Sequence, residues 1–258
     1  MWRTIRISLL LLTLLVVACS AWFDQHHTTS WQHSVWVGVF PVNADGSATA
    51  ARYIDDLREP DFAPLSEFIA REAQRYGLSL AEPVAVRLYA PLRTTPPLLE
   101  PGAGALTRVL WSLKLRRFRW QTLHSITRSR PQIALFVLYH APARAAVLPH
   151  SLGLQRGLMG VVHVFAARSQ SDQNAVVIAH ELLHTFGATD KYSAAGDSPL
   201  FPDGYAEPER QPRYPQRYAE LMAGRIPLSP TTQVMPEGLG QVRIGPTSAR
   251  EIGWRARR

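Results

Sequence analysis

Hydrophobic and polar residues follow one another along this chain with two different periods. Short runs rich in β-branched and aromatic residues, such as 34–42 (SVWVGVFPV), are typical of β-strands. Longer stretches with apolar residues three or four positions apart, such as 61–77 (DFAPLSEFIAREAQRYG), are typical of helices. The pattern predicts strands at 34–42, 83–92, 132–140 and 157–166, and helices at 61–77, 105–123 and 171–187.

Several residues refine these elements. Gly77 stands where a glycine can end a helix in a left-handed conformation, and Ser171 or Asp172 is predicted to cap the start of the last helix. The run 132–140 is apolar almost throughout, which is typical of a central strand covered on both faces. The strand at 157–166 is a candidate edge strand.

The order of the elements is β-α-β-α-β-β-α, and prolines and glycines interrupt the pattern repeatedly from Ala188 onward. This order favours an α+β (mixed α/β) fold, in which helices flank a mixed sheet and a loop-rich C-terminal part follows. One short helix of that part is predicted within 217–224. There is no internal repeat, and 46% of the 258 residues are hydrophobic, so 34–258 is predicted to form a single domain.

The N-terminus has the pattern of an export signal. Arg3 and Arg6 precede a long apolar run that is too short for a membrane span and leads directly to Cys19, the only cysteine. The stretch resembles the lipobox of bacterial lipoproteins, which implies a signal peptide over 1–18, lipidation of Cys19 and a polar tether over 19–33. The alternative is an uncleaved signal anchor. In both cases the folded part is exported, tethered to a membrane and without a disulfide.

The chain is basic, with a formal net charge of +8, and Lys114 and Lys191 are its only lysines. Arginine-rich stretches such as 114–120 (KLRRFRW) can attract anionic lipid or nucleic acid. The helix at 105–123 is predicted to have one apolar side and one arginine side, and we interpret the arginine side as a solvated face. No nucleic-acid-binding motif accompanies the charge, so we expect no specific nucleic-acid partner.

The stretch 179–192 (AHELLHTFGATDKY) carries the clearest chemical signal. On a helix, His180 and His184 project from the same face, because residues four apart are neighbours on the helix surface. Two imidazole nitrogens at that spacing can bind one zinc ion. Glu181 points slightly aside, from where it can reach a water on the metal without binding the metal itself, and this is the physical content of the HExxH pattern.

The residues around this motif favour a metal site over an accidental cluster. The helix is apolar nearly all round, which predicts that it is buried, and buried histidines and carboxylates are unfavourable without a partner. A catalytic zinc also needs a third protein ligand and an open position. Gly187 can turn the chain out of the helix, and Asp190 follows three residues later as the candidate third ligand.

With these residues the sequence resembles the metzincin clan of zinc metallopeptidases, whose pattern is HExxHxxGxxH, or HExxHxxGxxD in a snapalysin-like variant. The resemblance implies that His180, His184 and Asp190 bind Zn²⁺, that Glu181 is the general base and that Gly187 makes the turn. It also implies a mixed sheet above a central active-site helix and a methionine turn beneath the metal. The candidates for that turn are Met222 and Met235, and Met222 is preferred.

These observations predict a zinc-dependent metallopeptidase that hydrolyses peptide bonds in the bacterial cell envelope. The alternative is an inactive zinc-containing envelope lipoprotein that acts as a scaffold or binding protein. His163 lies among alternating apolar residues and is interpreted as structural. Some relatives use a tyrosine to stabilise the oxyanion, but the sequence does not select one of the four tyrosines that follow the motif, Tyr192, Tyr205, Tyr214 and Tyr218.

Overall fold

The computed structural model describes residues 6–7, 29–100, 102–127, 129–144, 147–193 and 198–254. The predicted signal peptide (1–18) falls outside the described residues except for positions 6–7, and Cys19 and the predicted tether up to residue 28 also fall outside them. The prediction that the tether extends to residue 33 is wrong, because Trp31 is buried against Phe186 and Trp254 and so belongs to the folded part. In the part of the chain that is described, no helix is both long enough and apolar enough to cross a membrane.

A five-stranded sheet forms the centre of the fold. Its strands are β1 (Val35–Asn43), β2 (Val84–Leu88), β3 (Ile133–His140), β4 (Leu152–Leu154) and β5 (Met159–Phe165). The strand order is β2-β1-β3-β5-β4, with parallel pairing throughout except for the antiparallel pair of β4 and β5. The apolar β3 is central, as predicted, and the α+β (mixed α/β) class is confirmed.

The edge strand is not the one that the sequence predicts. β5 lies between β3 and β4, so the prediction of 157–166 as an edge strand is wrong. The strand at this edge is β4, which has three residues and lies within a glycine-containing stretch that the hydrophobic pattern indicates as a loop; β2 forms the opposite edge. Such a short strand leaves almost no period-2 signal and forms because β5 supplies its hydrogen-bonding partner.

Helices cover both faces of the sheet. They are α1 (Ala48–Asp55), α2 (Ala63–Arg75), α3 (Ala105–Ser125), α4 (Ser171–Phe186) and α5 (Pro246–Glu251). One face of the sheet packs against α1, α2 and α4, and the other packs against α3. The three predicted helices are present, and Gly77 follows α2 with a φ of +79°.

Two details of the helices differ from prediction. α4 begins at Ser171, and the residue before it, Gln170, makes no side-chain cap, so the prediction of a Ser171 or Asp172 cap is wrong. The Ser171 hydroxyl is instead within 3.2 Å of the Tyr53 hydroxyl on α1. In α3 the apolar residues lie on two opposite sides, with Leu115 buried and Leu110 exposed, so the prediction of a single apolar side is also wrong.

The C-terminal part is loop-rich, as predicted, and contains two small two-stranded sheets. These pair β6 (Ala219–Glu220) with β9 (Val242–Arg243) and β7 (Ile226–Pro227) with β8 (Gln233–Val234). The helix predicted within 217–224 is absent from this described segment. The reason is that the buried Glu220 carboxylate accepts hydrogen bonds from the Ala223 and Gly245 amides and the Ser248 hydroxyl, which holds the segment as a strand and turn against α5.

Candidate metal centre

Three side chains that the sequence predicts as ligands meet at the end of α4. His180 and His184 lie one turn apart on the helix, and their Nε2 atoms are 3.1 Å from each other. Gly187 ends the helix with a φ of +111°, a left-handed conformation that glycine adopts without strain. The chain then turns back, and the Oδ1 atom of Asp190 lies 3.2 Å from His180 Nε2 and 3.1 Å from His184 Nε2.

Backbone carbonyl groups fix the orientation of both imidazole rings. The Nδ1 atom of His180 is 2.9 Å from the carbonyl oxygen of Leu221, and the Nδ1 atom of His184 is 2.8 Å from that of Ala188. A carbonyl oxygen only accepts, so each Nδ1 carries the proton and donates it. Each Nε2 of a neutral ring therefore presents a lone pair, which is the arrangement of metal-binding histidines.

The donor set fits a zinc ion. The two Nε2 atoms and the Asp190 Oδ1 atom are 3.1–3.2 Å from one another. Two lone pairs and a carboxylate oxygen this close together are unfavourable unless a cation lies between them. Three ligand atoms that share a tetrahedral zinc at about 2.0–2.1 Å are about 3.3–3.4 Å apart, close to the spacing in this chain. Within the described residues, His180, His184 and Asp190 are the one group of three potential ligands, which leaves a fourth position open.

The pKa values of these groups reflect the same convergence. Burial lowers the pKa of His180, but the contact with Asp190, the charge of Glu181 and the Leu221 carbonyl outweigh burial and leave that pKa raised. Burial raises the pKa of Asp190, but its contacts with the two imidazoles hold the pKa well below its usual range. The centre therefore favours a positive charge.

Glu181 lies beside the three candidate ligands and is not part of their group. Its side chain is buried, and its Oε2 atom has no hydrogen-bond partner among the described residues. Burial raises the pKa of Glu181, while His180 and His184 act in the opposite direction. A buried carboxylate oxygen without a donor is unfavourable, and a water between Glu181 and the ligands would satisfy it.

The edge strand β4 forms one wall of the site. The Gly153 amide donates a hydrogen bond to the Glu181 carboxylate, and a Cβ at this position would overlap the Glu181 carbonyl oxygen and come within 2.5 Å of His184 Cβ. β4 and α4 can therefore lie this close because residue 153 is glycine. An open cavity of about 410 Å³ next to His184 is lined by Leu154 of β4, Thr189 and Arg116 of α3, among others.

A network from the C-terminal helix holds the segment that carries Asp190. The Glu251 carboxylate of α5 accepts hydrogen bonds from the amide and hydroxyl of Thr189, both 2.9 Å long. It also pairs with the buried Lys191 ammonium at 2.9 Å, and the Lys191 amide donates to the Met222 carbonyl. Burial raises the pKa of Glu251, but Lys191 and Thr189 outweigh it and leave the pKa lowered. The residues before and after Asp190 in the chain are thus both held in place.

The structure places the two candidate methionines in different surroundings. Met222 is fully buried and directly follows Leu221, whose carbonyl orients His180, in a turn where the Ala223 and Gly224 amides donate to the Glu220 carbonyl. Met235 is 46% exposed beside the small β7–β8 sheet. Of the two candidates, Met222 is therefore the buried one, and its neighbour in the chain contacts His180.

The candidate tyrosines and His163 do not belong to the group of three potential ligands. The Tyr192 ring is stacked 6.4 Å from the His180 ring, whereas the Tyr205 and Tyr214 hydroxyls contact each other at 2.8 Å. His163 is not part of the ligand group, and its Nδ1 lies 2.9 Å from Nε2 of His140. Burial, followed by the neighbouring His140, lowers the pKa of His163 to about 4.

Sequence reasoning missed the groups that orient the ligands. The carbonyls of Leu221 and Ala188 are backbone atoms and leave no residue-type signal. Glu251 lies sixty-two residues from Thr189 in the chain, so no local pattern connects them. Lys191 did carry a signal, because it is one of only two lysines in an arginine-rich chain.

No protein-family model matches the chain, and no curated protein matches its sequence.

Proposed function

We propose that this protein is a zinc-dependent metallopeptidase of the metzincin type, which hydrolyses peptide bonds in the bacterial cell envelope. The observation that carries the proposal is the convergence of His180, His184 and Asp190, with the partnerless Oε2 atom of Glu181 beside them. Zinc bound by these three side chains would supply Lewis acidity, which acidifies water and polarises a carbonyl group.

Glu181 performs the proton transfers in this proposal. Its carboxylate takes a proton from the attacking water as the water oxygen bonds to the scissile carbonyl carbon. When the C–N bond breaks, Glu181 returns that proton to the leaving amine, so the residue ends the cycle in its starting state. The hydrogen bond from the Gly153 amide holds the carboxylate in place, and Oε2 remains available for the water.

The edge strand supplies a means of binding an extended peptide. β4 pairs with β5 on one side only, so its outer edge presents backbone groups on the side away from β5. A peptide that pairs with this edge lies along the wall of the site, because Gly153 contacts α4 at Glu181 and His184. The edge position that the sequence predicts for 157–166 belongs to β4.

An inactive zinc-containing scaffold is disfavoured by the same geometry. A structural zinc site is closed by a fourth protein ligand, whereas three potential ligands form the group within the described residues. Such a site also has no use for the buried Oε2 atom of Glu181, which lacks a hydrogen-bond donor among the described residues and costs about 1–3 kcal/mol of folding free energy. In a peptidase the same carboxylate has a function.

The proposed location rests on the sequence. The apolar N-terminal run that ends at Cys19 supports export as a lipoprotein, or as a signal-anchored protein, tethered to a membrane of the envelope. The proposed substrates are therefore peptides or proteins of that compartment.

The conservative variant Glu181→Gln tests the mechanism. It keeps the shape of the side chain and all three ligands, so we expect zinc content equal to that of the parent chain and peptide hydrolysis reduced at least about a thousandfold, because the proton acceptor is lost. Hydrolysis of a peptide library is measured with and without a chelator, and zinc is measured in the same samples. A Glu181→Gln variant with normal turnover, or a fully active metal-free protein, would contradict the proposal. Absence of hydrolysis in the zinc-loaded parent chain would favour the scaffold.

A further inference from the structure

Helix α3 has apolar residues on two opposite sides, and only one side contacts the sheet. On the inner side, Trp111 and Leu115 are buried against the sheet. On the outer side, four aliphatic side chains are between 51% and 73% exposed: Leu106, Val109, Leu110 and Leu113. They stand at positions i, i+3, i+4 and i+7, so they form one continuous stripe along two turns, which we call the outer stripe.

Basic and aromatic residues continue the outer stripe toward the end of α3. Arg117 lies four residues after Leu113 on the same side and is exposed, and Lys114 is exposed beside it. Trp120 follows on the same side and is 58% exposed. Single exposed apolar residues are common on protein surfaces, but a contiguous stripe with a tryptophan and cationic neighbours marks an interaction surface.

We propose that the outer stripe of α3 lies on an anionic lipid bilayer. The four aliphatic side chains would enter the boundary between headgroups and acyl chains, Trp120 would lie at the headgroup level, and Lys114 and Arg117 would contact anionic headgroups. This distribution of aliphatic, aromatic and basic residues is typical of helices that lie in the membrane interface. The formal net charge of +8 favours the same partner over a neutral one.

The length of chain before the folded part is compatible with this contact. Nine residues lie between Cys19 and Thr29, the first residue of the described body, so these two residues are at most about 35 Å apart. A body of this size is about 45 Å across, so a membrane anchor at Cys19 would leave only the surface furthest from Thr29 out of reach of the bilayer. Trp31 packs on Phe186, and Arg116 of α3 lines a cavity with the next residue, Gly187, so α3 is not in that part of the surface. This step rests on the proposed tethering, whereas the outer stripe itself does not.

Binding through α3 would also place the candidate metal centre near the bilayer. Ser112 and Arg116 of the same helix line the cavity beside His184. The proposed partner therefore restricts the substrates to peptide segments close to a membrane surface.

Tryptophan fluorescence of the full chain in lipid vesicles tests the contact without any measurement of activity. The chain is incorporated into vesicles of phosphatidylethanolamine and phosphatidylglycerol in which some acyl chains carry bromine near the headgroup. The emission of Trp120 is the difference between the emission of the parent chain and that of Trp120→Phe, since the other six tryptophans are common to both. We expect the Trp120 emission to be quenched about twofold or more, and the quenching to weaken in phosphatidylcholine vesicles and in Lys114→Gln/Arg117→Gln.

A matched pair of variants separates the outer stripe from surface charge in general. Leu110→Glu places a carboxylate in the stripe and should reduce the quenching of Trp120 by about half or more, because a charge is unfavourable at that depth. Leu200→Glu changes an equally exposed leucine in the C-terminal part and should leave the quenching unchanged. Circular dichroism and zinc content identify any variant that has lost its fold.

Two outcomes would overturn the proposal. One is Trp120 emission that bromine does not quench in vesicles that hold the folded chain. The other is a concentration-dependent dimer in detergent that Leu110→Glu abolishes while Trp120 stays unquenched, which would assign the outer stripe to a second copy of the chain. Neither outcome bears on the zinc chemistry, so failure of this inference is distinguishable from failure of the proposed function.

Discussion

Glu251 is the most informative residue to change, because its carboxylate holds the segment that carries Asp190 without touching the three candidate ligands. In Glu251→Gln the side chain keeps its length but loses its charge. The Thr189 amide and hydroxyl and the Lys191 ammonium then share one neutral amide oxygen in place of two charged oxygens. The buried Lys191 keeps its positive charge and loses its ion-pair partner.

Both zinc affinity and stability should fall. Removal of one partner of a buried ion pair costs about 3–5 kcal/mol, and the partial exposure of Glu251 reduces this to about 2–3 kcal/mol of unfolding free energy. Residues that orient a ligand contribute about 10- to 100-fold to metal affinity, so we expect the zinc dissociation constant to rise by that factor. In free energy this is about 1.4–2.7 kcal/mol.

The assay is a zinc titration against a chelating dye, combined with urea unfolding of the metal-free chain. Glu237→Gln is the matched control, because it neutralises an exposed glutamate in the same C-terminal part and should change neither quantity measurably. A second variant, Lys191→Met in the Glu251→Gln background, removes the unpaired ammonium and should recover part of the stability. If Glu251→Gln binds zinc with the affinity of the parent chain, Asp190 is either held by other contacts or is not a ligand.

Three further predictions concern the ligands, the edge strand and the histidine pair. Asp190→Ala removes one of three ligands and should weaken zinc binding by at least about a hundredfold in the same titration; undiminished zinc would place the third ligand elsewhere. Gly153→Ala should lower the unfolding free energy by about 1–3 kcal/mol and weaken zinc binding, because the added methyl group pushes β4 away from Glu181 and His184. The control is Gly240→Ala, whose methyl group meets no atom within 4 Å and should have little effect. His163 has a folded-state pKa of about 4, below the ordinary value of 6.5, so the unfolded chain binds its proton first and stability falls as the pH drops from about 7 to about 4. Urea unfolding at about pH 7 and about pH 4 measures this loss of stability, and His163→Asn should make the loss smaller by about 1–2 kcal/mol. An equal loss in the parent chain and in His163→Asn would show that the His163 ring is solvated.

The sequence predicted best what depends on neighbouring residues. α4, its end at Gly187 and the convergence of His180, His184 and Asp190 all follow from spacings of three to four residues within one short stretch. The central position of β3 followed from its unbroken apolar run, because only a strand covered on both faces tolerates such a composition.

What the sequence could not predict depends on partners that are distant in the chain. β4 is a strand because β5 pairs with it, and Ala219–Glu220 is a strand because β9 pairs with it and Gly245 and Ser248 bind the Glu220 carboxylate. α1 was missed because its inward side has only Ala50 and Ile54 as buried residues, too few for a clear helical period. The exposed stripe of α3 was missed because a pattern of apolar residues does not reveal which of two sides meets the sheet.

The proposed zinc site is assembled from three separate stretches, and this origin would determine when, during synthesis, a zinc ion can be retained. Residues 180–190 contain the three candidate ligands, Leu221 orients His180, and Glu251 holds the Asp190 segment. A chain that leaves the ribosome or crosses a membrane N-terminus first therefore emerges with all of its ligands before the groups that orient them. We expect tight zinc binding only after residue 251 has emerged, so a peptidase of this design would acquire its metal, and with it its activity, in the compartment where folding ends.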